Sequence, residues 1–182
     1  MKLLFKKTIL IALVAALGIA SLPFVNVFAA GENDQSTPPQ GQVSNERLEK
    51  AWARQLGAYQ KLGAGFERSD AFFEKAQKLI DRAKENGKDV SAVQSAFDAF
   101  EAATKNAHPI YESAKGIVNS HQGFDANGKV TDPEKAKETV KAMGEKLKAI
   151  KDAMNGTGKA FHEAIKAFRE ANPRPVKTPT AP

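Results

Sequence analysis

The chain has 182 residues, 42% of them hydrophobic, no cysteine, and a formal net charge of +6 from 27 Lys+Arg against 21 Asp+Glu. Without a thiol it forms no disulfide, no thiolate-held zinc cluster and no cysteine-linked haem, and no cysteine can be lipid-modified. Its acidic and basic residues are too evenly mixed for nucleic acid binding.

The N-terminus reads as a cleavable signal peptide over residues 1–29. Lys2, Lys6 and Lys7 precede an apolar run from Thr8 to Leu22, and Val27-Phe28-Ala29 supplies a small-residue cleavage site, with cleavage expected after Ala29. The apolar run is shorter than the ~20 residues that span a bilayer comfortably, which disfavours an uncleaved anchor. Cleavage removes three lysines and no acid. The 27 Lys+Arg then fall to 24 against 21 Asp+Glu, a net charge of +3. Residues 30–43, with Pro38-Pro39 and Gly41, lack periodicity and read as a disordered leader.

The first long helix is expected over about residues 45–86. Leu48, Trp52, Gln55, Tyr59, Leu62, Phe66, Ser69, Phe73, Ala76, Ile80 and Ala83 follow one another at alternating spacings of four and three. Ser44 or Asn45 can cap its start, and Asn86-Gly87 ends it. Gly57, Gly63 and Gly65 each weaken it by roughly 1 kcal/mol against alanine. A break at Gly63–Gly65 would give a four-helix bundle, but the seam keeps phase across these glycines, which favours one continuous helix.

Ser91 and Gln94 have capping-box spacing and open a second helix over about 91–121. Its seam is Val93, Phe97, Phe100, Thr104, Ala107, Tyr111, Ala114, Val118 and His121, with a kink expected near Pro109. Residues 121–131 form the longest connection, with Asp125, Gly123 and Asn127-Gly128 as turn chemistry and Phe124 expected to tuck under the bundle end. Asp132 and Pro133 then open a third helix over about 133–171, with Ala136, Val140, Met143, Leu147, Ile150, Met154, Thr157, Phe161, Ala164 and Phe168 on its seam. Asn172 to Pro182 is proline-rich and reads as a disordered tail.

Three long seams with short connections imply an all-α, up-down-up antiparallel three-helix bundle over residues 44–171. In shape it resembles the spectrin-repeat architecture, a likeness that carries no function.

Candidate chemistry is sparse. His108, His121 and His162 are preceded three positions earlier by Lys105, Val118 and Lys159, so the Glu-x-x-His pattern of di-iron bundles is missing. A haem held by Met143 or Met154 with His108 or His121 is the remaining cofactor reading, against the plainer one that these methionines fill core gaps. Asp125–Asp132 starts like a calcium loop, but Gly128 falls at its fourth position and not at its sixth, so an Asn-Gly turn is the better reading. No serine lies in a nucleophile elbow.

One coincidence stands out. At 1.5 Å per residue, Gly63–Gly65 lies about 28 Å up the first helix, Pro109 about 27 Å down the second, and Gly156–Gly158 about 36 Å up the third. Gly63, Gly65, Phe66, Pro109, Tyr111, Gly156 and Gly158 thus form a candidate interaction waist, with no catalytic, metal or cofactor residue assigned. The expected function is that of an exported, non-enzymatic bundle acting through protein interaction in the cell envelope, chaperone-like in manner. The alternatives are an amphipathic bundle for lipid or a small hydrophobic ligand, and a haem or metal bundle. No cofactor is expected, and the expected partner is a protein or an amphipathic ligand.

Overall fold

Most of the apolar four-three spacing lies on helical backbone. The computed structural model describes residues 44–173, and among them lie helices α1 (Asn45–Glu67), α2 (Ser69–Glu85), α3 (Ser91–Ser120), α4 (Pro133–Met154) and α5 (Thr157–Ala171). The described chain is all-α, its one extended pairing an isolated antiparallel bridge between Phe124 and Val130. The expected signal segment and leader, and the tail beyond Pro173, lie outside the described residues.

Two of the expected helices are interrupted. The first loses helical assignment at Arg68, whose N–H turns to the carbonyl of Gly65 at 3.2 Å. Such an i-to-i−3 bond tightens the last turn of α1 and closes it, three residues beyond the Gly63–Gly65 stretch. The second interruption divides the expected 133–171 helix. Asn155 and Gly156 take left-handed φ values of 41° and 71°, which no right-handed helix can include. Helix α3, by contrast, runs through Pro109 without losing its assignment.

The helix ends follow local chemistry. Ser44 Oγ accepts the Arg47 N–H, and Asp132 Oδ1 accepts the Lys135 N–H with Pro133 in the first turn of α4. After α2, the Gly87 N–H reaches Lys84 and the Lys88 N–H reaches Ala83, a Schellman closure with Gly87 at φ 72°. At the start of α3 it is Asp89 that binds Ser91, through both the amide and the hydroxyl. Gln94, expected in a capping box, has another use.

The described residues divide into two units. The phenylalanine unit comprises residues 69–102 and 156–173. Its core holds Phe73, Ala76, Ile80, Val93, Phe97, Phe161 and Ile165, with Phe72, Phe100 and Phe168 packed against it. Between α2 and α3, Gln77 and Gln94 exchange two amide hydrogen bonds of 2.9 Å each, and Asp81 and Asp98 accept from their remaining protons. Gln94 thus serves the α2–α3 seam.

The loop unit comprises residues 44–68 and 103–155. Its core holds Leu48, Trp52, Tyr59, Ala114, Phe124, Ala136, Met143 and Leu147. Gln55, polar on an otherwise apolar seam, donates its amide to the Val140 carbonyl of α4 at 3.0 Å. The connection 121–132 belongs to this unit and is tightly folded. Gly123 has φ 83°, and a Cβ there would sit 2.1 Å from the Ala136 nitrogen. Only glycine fits, and its carbonyl accepts the amides of Thr131 and Asp132.

Candidate interaction surface

Two features of the loop unit bring chemistry-bearing side chains together. The first is an aromatic ladder. On α1, Tyr59, Gly63 and Phe66 share a face by their four-three spacing, and on α3 His108 and Tyr111 lie one turn apart. The Tyr59 and Tyr111 rings stack with centroids 4.4 Å apart and planes 15° apart. Phe66 meets Tyr111 at 5.1 Å and meets His108 edge-on at 5.2 Å. Tyr59 is buried, Phe66 and Tyr111 are half-buried, and His108 and Pro109 are exposed.

Gly63 admits this arrangement. A Cβ at that position would lie 2.2 Å from the Tyr111 hydroxyl oxygen, so any side chain there would displace the phenol. Burial, and then the neighbouring Tyr59 phenol, push the Tyr111 hydroxyl well above the ordinary tyrosine range.

The second feature is a groove of about 590 Å³ between α1, the end of α3 and the 121–132 connection. Trp52, Ala53, Leu56 and Val118 supply its apolar lining, while Glu46, Glu49, Lys50 and Lys129 supply its charged edge. Under it, Phe124 stacks on Trp52 at 5.2 Å and 14°. The edge is held by hydrogen bonds. Glu49 accepts from Lys129 Nζ at 2.8 Å and from the Val130 amide at 3.1 Å, and Glu46 pairs with Lys50 at 2.7 Å. The Lys129 ammonium holds the Glu49 carboxyl below the usual carboxylate range, and Glu49 in turn raises Lys129. Asp125 Oδ1 accepts the amides of Asn127 and Lys129, which fixes the turn that carries Lys129 to the edge.

The expected waist residues divide between the units. Gly63, Phe66 and Tyr111 meet directly in the loop unit. Pro109 lies on the same stretch of α3, and Gly65 gives its carbonyl to the Arg68 amide. Gly156 and Gly158 belong to the phenylalanine unit, where Gly156 precedes α5 and Gly158 leaves room for the Phe100 ring, 3.3 Å from where a Cβ would be. Sequence reasoning missed the Trp52–Phe124 groove. Its signal was the pairing of an aromatic in the longest connection with the only tryptophan, both recognised separately.

Met143 and Met154 are buried in packing. Among the described residues no group of three or more His, Asp or Glu side chains is placed to hold a metal ion, and no helix is long and apolar enough to cross a membrane. No protein-family model, curated protein or solved structure matches the chain.

Proposed function

We propose that this chain is an exported, non-enzymatic helical protein of the cell envelope that works by binding another protein, in a chaperone-like manner, through the groove of the loop unit. The single observation that carries the reading is the groove itself, with an aromatic and aliphatic lining under an edge of paired opposite charges. An apolar anchor from a partner would fill such a hollow, while the charged edge would set orientation. The architecture attached to this proposal is the up-down-up three-helix bundle. In its support, each unit draws one helical piece from each of the three periodic stretches.

The test uses the protein recovered from its own producing cells, with the wild type and an Ala53→Arg variant compared by quantitative mass spectrometry of co-purifying proteins. Ala53 is exposed and lines the groove, so the variant folds while the hollow is filled by a charge. A partner retained by the wild type and lost by the variant is the expected result, and identical retention removes the groove from the proposal. The N-terminal residue of the recovered protein reads out export, with Ala30 expected.

A second reading, a carrier of an amphipathic small molecule or lipid, draws on the groove volume, which lies within the roughly 300–1,000 Å³ common for small-molecule sites. Flotation with anionic and neutral liposomes at low salt discriminates it: this reading expects the protein to travel with the vesicles.

A further inference from the structure

We infer that Tyr59 and Tyr111 form an oxidative cross-linking site, at which a one-electron oxidant joins α1 to α3 by a covalent dityrosine bond. This inference is independent of the groove.

Two observations converge on it. The two rings lie almost parallel, 4.4 Å apart. Rings stacked this closely bring their π faces together, and with them the ring carbons ortho to each oxygen. Phenoxyl radicals carry much of their spin density on those carbons, and coupling proceeds by overlap of facing π lobes, the orientation that stacked rings present. Finally, the slot at Gly63 is what lets the Tyr111 phenol reach Tyr59. The chain has two tyrosines in all, so this pair is its whole complement, and with no cysteine it has no disulfide to serve as an oxidative staple.

The chemistry balances with a named oxidant. Each phenol loses one electron and one proton, giving two phenoxyl radicals. The radicals form one carbon–carbon bond between ortho positions, and each ortho hydrogen then moves to its oxygen to restore the phenols. In sum two tyrosines give one dityrosine, two protons and two electrons. The electrons reduce one persulfate to two sulfates, or, with a peroxidase-type catalyst and the two protons, one hydrogen peroxide to two waters. The two protons leave to water or buffer base.

The test is a brief photo-oxidation of the dilute purified protein with a ruthenium tris-bipyridyl sensitiser and persulfate. The expected product is a monomer lighter by two hydrogens, with dityrosine fluorescence and a single proteolytic fragment joining the Tyr59 and Tyr111 peptides. Two controls test the role of the fold. Oxidation in concentrated urea should lower the intramolecular yield at least several-fold, because unfolding separates the rings. Gly63→Ala should lower it several-fold in a variant whose helical circular dichroism is retained. Should that variant fail to fold, the urea comparison decides alone. Covalent dimers in place of the cross-linked monomer, or an equal yield with and without urea, would overturn the proposal. Trp52→Phe keeps the answer clear of tryptophan as a competing electron donor, and the yield is expected to persist in it.

Discussion

In the phenylalanine unit, Phe97 meets Phe73 and Phe161 edge to face, each at 5.7 Å, Phe72 and Phe100 add further edge contacts, and Phe100 stacks on Phe161 at 6.0 Å. In the loop unit, Trp52 and Tyr59 each lie flat against one partner, and both of those pairs contain a ring with a polar handle. Edge-to-face phenylalanines share their contacts among many neighbours and make no directional demand beyond shape. Stacked tryptophan and tyrosine pairs require a defined partner, and here each depends on a glycine-dependent slot or turn. The first unit is therefore built to stay closed. The second carries the groove, the charged edge and the tyrosine pair, so the polar and charged side-chain arrangements and the phenylalanine bulk sit in different parts of the chain.

The comparison breaks first at Phe161, which is 1% exposed and touches the rings of Phe72, Phe97 and Phe100. Phe161→Ala should destabilise by about 3–5 kcal/mol, the range for a phenylalanine removed from a core. Hydrogen exchange should show residues 69–102 and 157–171 losing protection before residues 121–132 do. Loss of protection in the loop first would reverse the ranking of the two units.

Gly123→Ala strikes the loop unit where its backbone has no slack. The added methyl meets backbone atoms of Asp132 and Ala136, at a φ that L-residues rarely adopt. Destabilisation on the order of 3 kcal/mol is expected in urea titration, together with a change in Trp52 fluorescence as Phe124 shifts.

Gln94→Ala removes half of the amide pair in the phenylalanine unit and leaves the part-buried Gln77 amide without that partner. A loss of about 1 kcal/mol in thermal or urea unfolding is expected, close to the net worth of a hydrogen bond.

Acidification sharpens the contrast with little change in global stability. Glu49 has its carboxyl held below its ordinary value of 4.5, so its contribution is complete above that value and is lost as pH falls through the lowered one. Lys129, raised above 10.5, contributes fully below that value and loses its contribution as pH rises through the raised one. The protection factor of the Val130 amide, corrected for the intrinsic exchange rate at each pH, should therefore be highest between pH 4.5 and 10.5 and fall on the acid side, while the protection factors of amides in α2 and α5 stay unchanged. Glu49→Gln should flatten this acid limb.

The smallest expected effect is a gain. Nothing lies within 4 Å of a Cβ built on Gly57, in the interior of α1, so Gly57→Ala should stabilise by about 0.5–1 kcal/mol. Gly63→Ala, six residues along the same helix, should destabilise because the Tyr111 hydroxyl occupies that space.

Much of the interior was legible in advance, because burial follows the four-three spacing. Leu48, Trp52, Tyr59, Phe73, Ala76, Ile80 and Ala83 are buried in sequence order, as are Met143, Leu147, Ile150, Met154 and Phe161. Periodicity fails where it continues through a break. The chain holds Asn-Gly at 86–87, 127–128 and 155–156, and all three glycines take φ values between 71° and 76°. The first two pairs sit where the apolar pattern stops, so they read as stops. The third lies inside an unbroken pattern and terminates α4 all the same, because local backbone preference overrides apolar phase at an asparagine followed by glycine. The tyrosine pair was half visible. Tyr59 and Tyr111 were placed on their helix seams and Gly63 was marked as a glycine inside a helix, but facing registers between helices 40 or more positions apart are set by side-chain fit, which no single periodicity encodes.

That lack of encoded register gives the Gln77–Gln94 pair a role in alignment. Along the α2–α3 seam the packed residues are apolar (Phe73, Ala76 and Ile80 with Val93, Ala96 and Phe97), and apolar contacts alone set offset only through shape. The two amides bond reciprocally in one alignment alone. Sliding α2 by a single turn would bring Gln77 opposite a different residue and cost both reciprocal bonds, while the bonds to Asp81 and Asp98 within each helix would remain. The pair thus works as a vernier mark, favouring the one alignment of α2 and α3 in which both bonds form.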